Sequence, residues 1–215
     1  MFDVESEWFM KICTIYKNKK DFYYFTFTVT AWLPVFQEDR YCEAVIESLK
    51  YSQRCRGLHL LGYVIMPTHL HLIATYSNDA ILFCLMQELG ESITKEVVRL
   101  LEKDQRILFL KIFENAACNS SNSRYRLWKD NFRSVVLNSE KRFHEKMYYM
   151  HENPVRQGFV ELPEHWKYSS ARNWMLHDDG IIRIDKEILG ITSASSVLLA
   201  ADIGRQNNRL IKAPK

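Results

Sequence analysis

The chain has 215 residues, of which 47% are hydrophobic, enough for one compact domain with a sizeable core and no linker. Its formal net charge of +3 is too mild to demand a polyanionic partner, and no apolar run approaches the ~20 residues that a bilayer span needs. The start, Met1-Phe2-Asp3-Val4-Glu5, lacks a basic segment followed by an apolar one, so no secretory signal and a soluble, cytoplasmic protein are expected.

In chain order, Phe22–Thr30 is aromatic and β-branched and predicts a strand. Asp39–Arg56 predicts a helix with Ala44, Val45, Ile46 and Leu49 on its apolar side, closed by Gly57. A hairpin is expected next, from Leu58–Met66 and His69–Tyr76 around Pro67-Thr68. Asn78 or Asp79 then caps a long helix reaching about Glu102, with Leu82, Leu85, Met86, Leu89, Ile93 and Val97 at helical spacing. Residues 104–122 are ambiguous, and Ser120-Ser121-Asn122-Ser123 reads as a polar loop. A strand near Tyr125–Trp128 would complete β-α-β-β-α-β, the split arrangement of ferredoxin-like α+β folds. Ser139 to Met150 predicts a further helix that Pro154 stops. Residues 1–185 are expected to form the domain, with 186–215 a basic appendage. The five cysteines (Cys13, Cys42, Cys55, Cys84, Cys118) show no CxxC spacing. They are expected to be buried reduced thiols, which excludes a zinc ribbon or a disulfide scaffold.

Two short clusters carry chemistry. His69 and His71 lie two residues apart on a predicted strand, so they project from one face about 7 Å apart along the chain and can converge on a divalent metal. The same spacing also suits two ordinary half-exposed histidines. Some eighty positions on, Tyr149 and Asn153 are one helical turn apart and share a face. A phenol is a poor nucleophile unless its target is polarised, which a metal beside a phosphodiester accomplishes. The Asn153 carbonyl is a suitable hard ligand for that metal. Alternatively, Tyr149 is a core aromatic and Asn153 a cap before proline. Tyr148 points about 100° away from Tyr149, so both cannot face one metal.

Residues 121–172 hold ten Lys/Arg against six Asp/Glu, an excess of four positive charges, and the tail from Ile203 adds Arg205, Arg209, Lys212 and Lys215. Arg124, Arg126, Lys129, Arg133, Arg156, Lys167 and Arg172, interleaved with Tyr125, Trp128, Phe132, Trp166, Tyr168 and Trp174, suit a groove for single-stranded nucleic acid. A solvated surface over an aromatic core is the equal alternative.

Four blocks together resemble the single-tyrosine HUH transposases, in particular the REP-associated tyrosine transposases of bacteria. They are FTFTVTAWLPVF (25–36), GYVIMPTHLHLI (62–73), YMHENPVRQGFV (149–160) and PEHWKYSSARN (163–173), within a resemblance covering residues 22–185. Thr68, Glu152 and Gln157 depart from the commonest family pattern. The resemblance implies a ferredoxin-like antiparallel sheet with an added helix carrying the catalytic tyrosine. It implies His69, His71 and Asn153 as ligands of Mg²⁺ or Mn²⁺, and Tyr149 as the nucleophile that forms a 5′-phosphotyrosine. The implied partner is single-stranded DNA beside a hairpin, in a bacterial, nucleoid-associated setting, with a monomer or homodimer both open. Nitrogen ligands tilt the preference toward Mn²⁺. Two other classes remain: a domesticated hairpin-DNA-binding protein without transposition activity, and an unrelated metal-dependent hydrolase that uses water.

Overall fold

The computed structural model describes residues 21–117, 123–176 and 178–189. Cys13, Cys118, the start of the chain and the basic tail after Ile203 lie outside the described residues. The described residues up to Ile184 form one compact unit; of a second, only 185–189 are described, where Lys186–Leu189 makes a 3-10 turn.

The larger unit is built on a four-stranded antiparallel sheet of β1 (Phe22–Thr28), β2 (His59–Met66), β3 (His69–Thr75) and β4 (Arg133–Leu137), in the order β2-β3-β1-β4. Helix α1 (Asp39–Arg56) connects β1 to β2. Helices α2 (Asp79–Lys103) and α3 (Ile107–Ala117) lie between β3 and β4. This is the expected ferredoxin-like α+β order, with α3 occupying the stretch whose local signals were ambiguous. Gly57 closes α1 at φ 70°, its N–H bonding the Ser52 carbonyl, and the Asn78 side chain caps the Ile81 N–H at the start of α2.

Strand β4 lies later than the Tyr125–Trp128 region where a strand was expected. Trp128 makes only an isolated bridge to Val29, and its ring is buried against Phe27 and Phe36. Its indole N–H donates to the Gly90 carbonyl, and Gly90 faces both Trp128 and Phe27. Tertiary packing thus pulls the 125–132 segment out of the ladder. The β-branched pair Val135-Val136 supplies the edge strand instead.

Alternation along the strands separates two faces. Phe25, Phe27, Leu70 and Leu72 enter the apolar core with residues of α1 and α2. The opposite face carries Tyr24, Thr26, His69 and His71 and is covered by α4 (Glu140–His151). Ser139 caps α4 through the Arg142 N–H. Phe143, Met147 and Met150, at i, i+4 and i+7, form its buried stripe. Gly62 of β2 lies directly beneath: a Cβ there would stand 2.6 Å from Met150 Cε and 2.9 Å from Met147 Sδ. The bare glycine therefore sets how closely the helix settles on the sheet.

Residues 165–174 seal the outer edge of β2. The Ile65 and Ser170 N–H groups bond the carbonyls of Tyr168 and Tyr63, while the indoles of Trp166 and Trp174 bond those of Ile65 and Leu61. Cys42 is buried, but Cys55 and Cys84 are free and exposed, against the expectation of buried thiols, because both lie on helix surfaces away from the core. Among the described residues no helix is long and apolar enough to cross a membrane.

Candidate active site

His69 and His71 stand on the same face of β3 with ring centroids 4.7 Å apart. Both are buried. Each is oriented by a threonine: Thr68 Oγ1 is 3.0 Å from His69 Nδ1, and Thr26 Oγ1 is 3.0 Å from His71 Nδ1. With Nδ1 of each ring turned to a threonine hydroxyl, Nε2 is the nitrogen that each ring could offer to a metal, the arrangement that outer partners impose on metal-binding imidazoles. Burial lowers the His69 pKa to about 4. His71 is held well below the ordinary imidazole value, first by burial and then by the charges of His69 and Lys146. Both rings are therefore neutral near pH 7 and available as ligands.

Helix α4 ends at His151 and a short helix, α5 (Asn153–Arg156), begins at once. The long helix thus stops just before Pro154, as expected, and the proline falls in the first turn of the new helix, where a missing N–H is tolerated. Asn153 is buried, and its Nδ2 lies 3.1 Å from His69 Nε2. Its Oδ1 accepts from Gln157 Nε2 at 3.0 Å. A joint rotation of the two amides exchanges donors for acceptors, keeps their mutual bond and turns Oδ1 toward His69. Two neutral imidazoles and one carboxamide oxygen fit a six-coordinate divalent ion that keeps its remaining positions for water or substrate. Among the described residues no three His, Cys, Asp or Glu side chains could hold a metal, so an ion here would depend on this mixed set.

Tyr149 is 43% exposed, and its ring lies edge-on to His71 with centroids 6.1 Å apart. Of the two adjacent tyrosines, it is Tyr149 whose ring meets His71. Two cations flank its ring, with Arg156 Cζ 4.3 Å and Lys146 Nζ 5.4 Å from the centroid. Lys146 also lies over Tyr24, which stacks on His71 at 5.1 Å. The helix end is anchored from below, since buried His151 Nε2 lies 2.8 Å from Ser170 Oγ, which also bonds the Tyr63 backbone.

The structure thus brings His69, His71, Asn153, Tyr149 and Arg156 together. Arg133 faces Thr26 across the β1–β4 pair, which puts it on the histidine face, where it pairs with Asp130 at 3.6 Å. Arg124 pairs with Glu114, Lys167 with Asp39 and Arg172 with Asp178. Arg126 bonds the Trp128 carbonyl, and with Lys95, Tyr125 and Phe132 it lines a cavity of about 590 Å³ beside α2. Lys129 is exposed. Trp128 is only 6% exposed, so it offers no face on which a base could stack. Sequence reasoning passed over Lys146, Tyr24, Thr26 and Gln157 as site residues. The local signals available were the i, i+3 spacing of Lys146 from Tyr149 and the i, i+4 spacing of Gln157 from Asn153.

No protein-family model matches the chain, and no curated protein does. Two solved structures are similar to it in backbone path. One is a REP-associated tyrosine transposase bound to a REP hairpin, at 18% identity and a TM-score of 0.45, covering 74% of this chain and 81% of that one. The other is a candidate transposase from Deinococcus radiodurans R1, at 12% identity and a TM-score of 0.40, covering 60% of this chain and 87% of that one.

Proposed function

We propose that the protein is a metal-dependent single-stranded DNA endonuclease and strand transferase, with Tyr149 as its nucleophile. The observation that carries this reading is an accessible phenol beside two buried, neutral imidazoles that are held at Nδ1 by threonines, with the Asn153 amide at Nε2 of His69. When bound, Mg²⁺ or Mn²⁺ held by His69, His71 and Asn153 would supply Lewis-acid polarisation of a non-bridging phosphate oxygen.

The residues of the chain do the rest. Lys146 and Arg156 beside Tyr149 attract the phosphate and offset charge that develops on its oxygens. Thr26 and Thr68 hold the imidazole rings in place. The Tyr149 oxygen forms a bond to phosphorus and its proton passes to solvent. The bond from phosphorus to the 3′-oxygen breaks, and that oxygen takes up a proton and leaves as a 3′-hydroxyl. The 5′-phosphotyrosine keeps the ester energy, so a second 3′-hydroxyl can reverse the step without ATP. A backbone that must bend between a strand-borne pair and a helix-borne tyrosine favours single-stranded DNA next to a hairpin over perfect duplex.

A denaturing gel of the protein with hairpin-bearing single-stranded DNA and Mn²⁺ tests the reading. The expected result is a covalent adduct that Tyr149→Phe abolishes and that duplex DNA does not form. Strand cutting that survives Tyr149→Phe would instead identify a hydrolase using water. A mobility shift without adduct across many hairpins would identify a binding protein.

A further inference from the structure

Four rings form a row across the site. Trp32 meets His69 edge-on at 6.3 Å, His69 meets His71 at 4.7 Å, and His71 meets Tyr149 at 6.1 Å. Trp32 and Tyr149 are the two ends of this succession of ring contacts. Trp32 is 57% exposed, although a tryptophan beside an aromatic core would ordinarily pack inward as Trp128 does.

The backbone accounts for the display. Ala31 and Trp32 have φ of 55° and 54°, two consecutive non-glycine residues in the left-handed region, where Cβ crowds the chain. Firm anchors on both sides hold this turn. The Val29 N–H bonds the Thr68 carbonyl, Thr30 bonds the Leu127 and Arg126 carbonyls through its N–H and hydroxyl, and the Phe36 N–H bonds the Pro67 carbonyl. Thr30, Val35 and Phe36 are buried. Backbone strain that its surroundings over-determine, beside a reactive centre and with an exposed ring at its tip, marks a binding device.

Building on the strand-transferase reading above, we propose that Trp32 forms a nucleobase subsite, stacking the unpaired base on the 5′ side of the attacked phosphate. In phosphoryl transfer the attacking and leaving oxygens lie roughly in line through phosphorus. With Tyr149 at one end of the row, the departing 3′-oxygen and its nucleoside leave toward the other end, where Trp32 stands. An indole face accepts any of the four bases, so the subsite fixes the position of the leaving nucleotide and does not read its identity.

The test joins binding to chemistry in the full chain. A short oligothymidylate should quench the tryptophan fluorescence of the wild-type protein. Trp32→Phe should lose that quenching while keeping affinity within about threefold by fluorescence anisotropy, because phenyl still stacks. Trp32→Ala should bind the same oligonucleotide about tenfold to a hundredfold more weakly. On a strand that forms the Tyr149 adduct, an abasic residue immediately 5′ of the attacked phosphate should slow wild-type adduct formation and slow Trp32→Ala no further. Unchanged affinity in Trp32→Ala, unquenched fluorescence in a bound wild-type complex, or no binding of oligothymidylate by the wild type would overturn the subsite. Equal abasic penalties in wild type and Trp32→Ala would overturn its assignment to the leaving side. Absence of any adduct with the Trp32-dependent binding intact would sink the strand-transferase reading and leave a base-binding site standing.

Discussion

The two faces of the sheet use the same strands for opposite purposes. Every residue of β3 is buried, yet Leu70 and Leu72 enter a closed apolar core while His69 and His71 line a polar seam beneath a helix. On the core face, burial itself is the stabilising term, about 25 cal/mol per Å² of apolar surface. On the site face, burial costs solvation of the imidazoles, and the Thr26 and Thr68 hydroxyls replace part of that lost hydration. Stability and reactivity are therefore separable by a single step along one strand.

Substitution along β3 would break that comparison most sharply. His69→Ala or His71→Ala should abolish the Tyr149 adduct while leaving DNA binding and the unfolding midpoint close to wild type. Leu70→Ala or Leu72→Ala should cost about 2–5 kcal/mol in urea unfolding and leave the activity of the folded fraction intact. Histidine variants that unfold like the leucine variants, or that still form adduct, would show that the two faces are not so divided.

A smaller effect is expected where the site face meets its helix. Gly62→Val places methyl groups in the space of Met147 and Met150 and should cost about 1–3 kcal/mol. It should also lower the adduct rate, because Tyr149 rides on the displaced helix. Gly62→Ala should be milder, since the atoms it meets are the flexible ends of methionine side chains. A Gly62→Val protein that is destabilised but reacts at the wild-type rate would separate helix seating from reactivity.

The smallest expected effect is a pH dependence seated in the same helix. His144 is buried, and burial holds its pKa below the ordinary 6.5, with Glu140 opposing in part. Above 6.5 neither state carries the proton and the group contributes nothing. As pH falls below 6.5 the unfolded chain takes up a proton that the folded chain resists, so stability declines. Urea midpoints measured from pH 7 to pH 5 should fall more steeply in wild type than in His144→Gln. Identical slopes would show that His144 is protonated as readily in the folded protein as in the unfolded chain.

Much of the architecture was legible in local pattern. The helix capped by Asn78, the helix closed by Gly57 and the hairpin around Pro67-Thr68 follow from periodicity and capping, which act over a few residues. The pairing of His69 with His71 on one face follows from the two-residue repeat of a strand, and that of Tyr149 with Asn153 from the helical turn. Which of several aromatic rings is buried is not a local property. Trp128 and Trp32 both follow β1 or border its partners, yet one donates to Gly90 within the core and the other is held outward beside His69. That choice depends on the room left by Gly90 and on anchors from Thr68, Arg126 and Leu127, all distant in sequence.

What the sequence determined by itself was the type and order of most elements and the chemical identity of a two-histidine, one-tyrosine, one-amide set. Propensity, capping and side-chain alternation depend on neighbours within a turn or two. Only the tertiary structure decided that β4 begins at Arg133, that 165–174 seals β2, that Gly62 sets the height of the tyrosine helix, that Lys146 and Arg156 flank Tyr149, and that Trp32 meets His69. Each of those outcomes is a competition for space and hydrogen-bond partners among segments far apart in the chain. Only the assembled core resolves such a competition.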